Sequence, residues 1–408
     1  MAKEKLSERN LYLKIKETVL KKMDNTKELT DEELLESIEQ ELSVVDKNRL
    51  LSFEKRKEIA QSLFYSFRKY GVLQELIEDE QITEIMINGA DNIFYEKNGE
   101  LYRYEKTFSD NEELLDLIQS ICAVGNRMVN EASPIVDTRL SDGSRVNIVL
   151  SPIAIDGAAV SIRRFSKEPM SMKRLMQYGS LSEEMAEFLE KLVKAGYNLF
   201  VSGGTGSGKT TFLNALSEFI PKGERVITIE DSAELQLQGI SNLVRLETRQ
   251  AGFAGVVPIE IRDLIKTALR MRPSRLIVGE CRGAEAVDLL SANNTGHSGS
   301  LGTGHANSSK DMLRRLETMV LMGMDLPVSA IRGQIASGID IFIHLGRLRD
   351  RSRKVLEIAE LKGIEKEEIQ LNVIYRFKEE AEKEGKIQGR WEKVGELMHR
   401  EKWEAAGF

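Results

Sequence analysis

At 408 residues the chain exceeds the size at which one hydrophobic core stops growing, so two or more domains are expected. Its 41% hydrophobic and 30% charged residues exclude the disordered and fibrous classes. With 58 basic against 65 acidic residues and a net charge of −7, it lacks the basic excess that holds proteins on phosphate backbones, so nucleic acid is not expected as its principal partner.

In chain order, the first segment has helical periodicity: Leu11, Ile15, Val19 and Leu20 share one face, and Leu34, Leu35, Ile38 and Leu42 another. Thr30 followed by Glu33 forms a capping box, the hydroxyl accepting an orphan amide while the carboxylate reaches back. With a third helix over roughly Phe53 to Tyr70, residues 1–70 are predicted to be a small charged bundle serving as an adaptor. From Ile82 to about Phe165 the pattern changes to short alternating strands, with EIMIN ending at Asn88, NIFYE before Asn98-Gly99, then ELYRY. Asn-Gly suits the positive φ angles of a tight turn, so Asn92 to Tyr104 reads as a hairpin. Ser109 and Glu112 open a helix by capping logic, and VNIVL and AAVSI are further strands, which gives an α+β domain over residues 71–165. Residues 166–180, basic and irregular with Pro169 and Gly179, read as a linker. From Tyr197 the strands NLFVS, VITIE, RLIVG and IDIFIHL alternate with helices, which predicts an α/β domain over 181–375 with a mostly parallel sheet covered on both faces. Residues 376–408, rich in Lys and Glu, read as a C-terminal tail.

Cys122 and Cys281 are far apart and make neither a disulfide framework nor a CxxC metal site, which suits a reducing cytoplasm. The N-terminal MAKEKLSERN lacks the apolar core of a signal peptide, and no run of 18 apolar residues could span a bilayer. Membrane contact is therefore expected to be peripheral or through a partner.

Gly203, Gly208, Lys209 and Thr210 complete the pattern GxxxxGK[ST] between a strand-like and a helix-like segment. Through Thr205, Gly206, Ser207 and Thr211 the flexible backbone can curl its amides toward phosphate oxygens at the positive end of a helix. Lys209 would lie against the β/γ-phosphates of ATP and Thr210 would ligand Mg²⁺. A P-loop site also needs an acid at the end of a neighbouring buried strand. Arg275 to Gly279 runs into Glu280, and Val226 to Ile229 runs into Glu230 and Asp231 with Glu234 following, so either strand end could hold the metal's water shell or orient the attacking water. The stretch TGHSGSLGTGHAN, Thr295 to Asn307, carries His297 and His305 among small and hydroxylic residues; without a Cys or acidic third ligand this favours a loop approaching phosphate over a metal site. Arg139, Arg145, Arg163 and Arg164 before the P-loop, and Arg270, Arg272 and Arg275 after it, read from spacing alone as solvated surface.

The ordered blocks resemble the secretion-superfamily ATPases, most closely the CpaF-like ATPases of tight-adherence (Flp-type) pili. The resemblance covers about residues 70–375 and rests on the P-loop, the acidic box ITIEDSAEL, the block LRMRPSRLIVGE and the histidine box. SPIVDTRLSDGSRVNIVL followed by IRRF also resembles the family's N-terminal domain. It implies a RecA-like P-loop domain and a homo-hexameric ring in which ATP and Mg²⁺ sit between that domain and the N-terminal domain. Glu234 and Glu280 would then be the water-activating or metal-organising acids, with Thr210 and Glu280 toward the metal, His297 and His305 would sense the γ-phosphate, and Arg145, Arg163 and Arg164 would reach the nucleotide. Domain rotation on hydrolysis would drive a platform protein of the inner membrane, from a cytoplasmic, peripherally attached position. Gly304 departs from the pattern, which leads one to expect a larger residue before the second histidine. Two rivals stand beside this reading: a type IV secretion ATPase moving DNA or protein effectors, and a nucleotide-switched scaffold that does not hydrolyse. The retained Lys209, Glu234, Glu280 and histidines argue against the scaffold.

Overall fold

The computed structural model describes residues 12, 14–19, 30–46, 51–68, 70–125, 127–164, 170–249 and 257–408. Leu11 and Leu20 of the predicted first helix, and residues 166–169 of the predicted linker, lie outside them. The chain divides into two compact units, Met1–Lys167 and Glu168–Phe408.

In the first unit, α1 (Asp31–Val45) and α2 (Phe53–Arg68) pack Leu34, Ile38 and Leu42 against Ile59, Leu63 and Phe64, with Ile15 and Val19 in the same cluster. Thr30 and Glu33 close the capping box at the start of α1 as their spacing requires. After α3 (Gln74–Glu78) come β1 (Ile82–Asn88), β2 (Ile93–Lys97) and β3 (Glu100–Arg103), then α4 (Asn111–Val124), β4 (Ile135–Arg139), β5 (Arg145–Val149) and β6 (Ala159–Arg163). The strands form an antiparallel sheet in the order β3-β2-β1-β6-β5-β4. Asn98 (φ 56°) and Gly99 (φ 81°) make the β2–β3 turn, where Gly is strain-free and Asn tolerated. Alternation buries Ile85, Ile87, Val146, Ile148, Val160 and Ile162 with Leu114 and Ile118 of α4. The cap of α4 is Asp110, one residue later than expected: its carboxylate takes the Glu113 amide at 2.8 Å, while Glu113 reaches back to Ser109.

The second unit runs α5 (Met172–Gln177), α6 (Glu183–Lys194), β7 (Leu199–Gly203), α7 (Lys209–Ser217), β8 (Arg225–Glu230), β9 (Asn242–Glu247), α8 (Ile261–Ala268), β10 (Arg275–Cys281), α9 (Glu285–Asn294) and β11 (Leu301–His305). It continues through α10 (Ser309–Gly323), α11 (Val328–Gly338), β12 (Ile341–Arg347), β13 (Arg353–Glu365), β14 (Glu368–Lys383), β15 (Lys386–Lys393) and α12 (Glu401–Ala405). The sheet order is β15-β14-β13-β12-β7-β11-β10-β8-β9, parallel from β12 to β9 and antiparallel from β12 to β15. The inner parallel strands β7, β8, β10 and β11 are buried on both faces, as helical crossovers demand, whereas the edge strand β9 is partly exposed. Leu199 and Val201 pack toward α6 and α7, while Phe200 packs toward α9 and α10. This is the expected α/β fold, but two segments differ from the reading above. The stretch read as linker contains α5, N-capped by Ser171 and burying Met172 and Leu175 in the second core. The stretch read as tail completes β14, forms β15 and ends in α12, because buried Ile387 and partly buried Trp391 and Trp403 supply apolar anchors between charged positions.

Candidate functional site

In a parallel sheet the crevice outside the carboxyl ends of the strands is where ligands bind. Adjacent strands β7, β11, β10 and β8 end there in the P-loop, His305, Glu280 and Glu230 respectively. Gly206 (φ 71°) and Gly208 (φ 92°) take left-handed conformations that only glycine adopts cheaply, and they curl the loop from β7 into α7. The first turn of α7 has no side-chain cap, so its amides remain for an anion, and the Ser207 hydroxyl is buried without a partner. Glycine is needed at 203 for another reason: a Cβ there would stand 2.6 Å from the Leu345 carbonyl oxygen.

Lys209 folds over this loop, donating to the carbonyls of Gly203 (3.3 Å) and Gly204 (3.1 Å), with His305 Nδ1 3.3 Å from its Nζ. Burial holds the ammonium below the usual lysine range, against the opposing pull of Glu280 and Glu234. His305 Nε2 lies 2.7 Å from Glu280 Oε1, but not aligned as a hydrogen bond, which leaves that oxygen buried and unsatisfied. Burial lowers the His305 pKa, and Lys209 and Arg282 add to the effect while Glu280 opposes it, so the ring is neutral near pH 7. Glu280 Oε2 accepts from Arg282 at 2.6 Å. Thr210 and Thr211 follow Lys209 in the first turn of α7, half-buried, and Thr205 is exposed on the loop. Glu234 is placed by Glu230, whose Oε1 accepts the amides of Glu234 (2.7 Å) and Leu235 (2.8 Å).

Lys209, His305 and Glu280 are thus brought together, with Glu234 close enough to act on the lysine. The other residues proposed from sequence are placed differently. His297 sits in the turn after α9, at the end of β11 away from the P-loop, where its Nδ1 lies 3.3 Å from the Ala292 carbonyl. The strand separates it from His305 by about 16 Å. Within this chain His297 therefore lies at a helix end and not against the P-loop. Arg164, expected to reach nucleotide, donates within the first unit to the carbonyls of Leu76, Asp79 and Ile82, tying the C-terminus of α3 to β1. Arg145 and Arg163 face one another in register across β5 and β6, with Arg139 opposite Arg145 on β4, as a row on the face away from the core. Arg275 is only 2% exposed, not the solvated residue its spacing suggested: it pairs with Glu224 and donates to the Val193 carbonyl at 2.7 Å. Gly304 is explained by packing, since a Cβ would meet Phe200 Cε1 at 3.0 Å and Met312 Cε at 2.9 Å.

Sequence reasoning missed Arg282, Arg353 and His344. Arg282, two residues past Glu280, holds that carboxylate. Arg353 Nε donates to the Gly206 carbonyl at 2.9 Å, which joins the β12–β13 hairpin to the P-loop. The signal for His344 was a polar residue inside the otherwise apolar strand IDIFIHL. A cavity of about 470 Å³ opens beside Glu280, lined by Asp231, Thr248, Arg249, Arg262 and Arg282 among others.

Residues 67–398 match the family model described as Type II/IV secretion system protein. A protein of Mycobacterium tuberculosis that carries a conjugal-transfer name is 34% identical over 301 residues, covering 72% of this chain and 85% of the relative. The type IV secretion system protein PtlH of Bordetella pertussis is 31% identical over 312 residues, covering 70% and 92%. Among solved structures, the Legionella pneumophila ATPase DotB aligns with a TM-score of 0.52 at 24% identity, covering 71% of this chain and 79% of that one, a likeness of fold.

Proposed function

This chain belongs to the type II/IV secretion system protein family, and on that premise we propose that it hydrolyses ATP to power pilus or filament assembly, or secretion, at the inner face of a membrane. The observation that carries this reading is the convergence of Lys209, His305 and Glu280 beside the uncapped start of α7. The orphan amides and the unpartnered Ser207 hydroxyl fit a triphosphate. Lys209 exchanges its carbonyl partners for phosphate oxygens and neutralises their charge. Glu280, with one oxygen unsatisfied, takes a hydrogen bond from the attacking water, and neutral His305 between it and Lys209 donates toward the transferred phosphoryl group. Thr210 and Glu280 would hold Mg²⁺, which supplies charge neutralisation on the phosphates.

Assembly as a homo-hexamer on an inner-membrane platform protein, with the tight-adherence pilus as its machine, extends the same reading. Among the described residues no helix is long and apolar enough to cross a membrane, and the attachment in this reading is peripheral or through a partner. The names of the M. tuberculosis and B. pertussis relatives favour a second reading, a type IV secretion motor moving DNA or protein. Salt-sensitive DNA binding would select it, whereas the net charge of −7 weighs against it.

Phosphate release tests the enzyme. Lys209→Ala should abolish nucleotide binding, and Glu280→Gln should bind ATP but turn it over about 100-fold more slowly or worse. Equal rates for Glu280→Gln and the native chain would remove the glutamate from its role.

A further inference from the structure

His344 lies on β12 directly beside β7, in register with Ser202, which in turn is in register with Gly304 on β11. Its side chain is 7% exposed, on the face that packs against α10, and Ser202 is fully buried. Ser202 Oγ is 2.9 Å from His344 Nδ1, and the main chain of Asn307 is the other hydrogen-bond partner of the ring. The bond to Asn307 favours the charged ring, so the ring donates there from Nε2, which leaves Nδ1 to accept the serine hydroxyl. Burial keeps the imidazole neutral against the two carboxylates that face it, Glu357 on β13 and Asp311 on α10; β7 presents only Ser202.

Both partners sit next to the site. Ser202 precedes Gly203, whose carbonyl accepts Lys209 and, at 3.4 Å, the Ala306 amide. Asn307 follows His305 by two residues. The ring therefore spans the strand that enters the P-loop and the segment that leaves His305. Gly304 between them contributes no side chain that could make this link.

We infer that His344 is a positioning residue for the hydrolytic step: through Ser202 and Asn307 it fixes the separation of Lys209 and His305, and so the geometry of Glu280. The inference rests on the ATPase reading above. A residue that sets this geometry acts on turnover more than on affinity, because the P-loop amides and Lys209 hold the nucleotide without it.

The test compares the full-length chain with His344→Leu, His344→Gln, Ser202→Ala and the double variant Ser202→Ala/His344→Leu. Readouts are kcat and KM for ATP, binding of a fluorescent ADP analogue, and thermal melting. His344→Leu is expected to lower kcat by about tenfold or more while KM and ADP binding stay within about threefold. His344→Gln retains one donor and one acceptor and should recover most of the lost rate. The double variant should be no slower than His344→Leu, since both changes break one link. An unchanged kcat in a folded His344→Leu protein, or a loss of nucleotide binding as large as the loss of rate, would overturn the inference. A second arm does not depend on turnover. With four histidines in the chain, labelled-histidine NMR resolves His305, and its ring resonances at one fixed pH should shift in His344→Leu as its surroundings move. Unshifted His305 resonances would overturn the inference, whereas absence of phosphate release by the native chain would overturn only the ATPase reading.

Discussion

Glu230 closes β8 with a carboxylate only 3% exposed, one oxygen taking two backbone amides and the other left without a partner. Burial raises its pKa, and the amide bonds and Arg245 only partly offset this. A raised acid binds more protons folded than unfolded, so across the window above its unfolded pKa stability falls as pH rises. Glu230→Gln keeps the acceptor oxygen without the charge. It should melt a few degrees higher than the native chain at pH 8, with the gap narrowing toward pH 5; a gap independent of pH would contradict the burial argument. Gly203 makes the second residue-scale test. The Leu345 carbonyl that a Cβ would strike is backbone and cannot turn aside, so Gly203→Ala should cost about 1–3 kcal/mol. Gly204→Ala, with open space around it, is the control, and both are read by thermal melting without nucleotide. The sequence marked Gly203 through its motif, whereas the burial of Arg275 and the displacement of His297 were invisible there. Both depend on which strand end faces which neighbour, and local spacing does not encode that.

At the scale of elements, local chemistry was legible and charged strands were not. The Thr30–Glu33 box and the Asn98-Gly99 turn each satisfy a backbone requirement within a few residues, so a short window contains the whole reason for them. β14 and β15 carry so many Lys and Glu that they read as a solvated tail, yet pairing with β13 overrides composition. One of the groups that fix this end of the chain, beside the packing of Leu397 and Trp403, is Glu360 on β13, only 1% exposed, whose carboxylate accepts the amides of Met398 (2.8 Å) and His399 (2.7 Å) and the Asn372 side chain. Removing residues 394–408 would strand most of that carboxylate in the interior, and an uncompensated buried charge costs about 3–5 kcal/mol. The truncated chain should therefore melt well below the full-length protein, and adding Glu360→Gln should restore part of the loss. Truncation without effect, or no recovery by the glutamine, would show that the C-terminal segment is not held through this residue.

For the whole molecule, alternation of strand and helix was enough to announce an α/β unit after an α+β one, but the strand order depends on crossovers that leave no local mark. The three arginines expected from sequence to reach the nucleotide, Arg145, Arg163 and Arg164, separate at this scale into two kinds. Arg164 is spent inside the first unit on three carbonyls around the junction of α3 and β1, so its loss should unfold that unit more readily. Arg145 and Arg163 stand in one cross-strand row with Arg139, and like charges side by side on a sheet repel unless an acidic or anionic neighbour compensates them. The proposed motor reading would make that row a source of positive charge toward bound nucleotide. On that reading Arg163→Ala should lower kcat about tenfold or more at unchanged melting temperature. Arg164→Ala should instead destabilise the first unit by about 1–3 kcal/mol, for three carbonyls left with poorer partners, and so lower its melting temperature. Calorimetry on the full-length chain, which can follow the two units separately, together with phosphate release, distinguishes these outcomes. If Arg163→Ala releases phosphate at the native rate, the row serves the sheet surface or a partner, and the site must draw its transition-state cation from Arg282 or Arg353, already beside Glu280 and the P-loop.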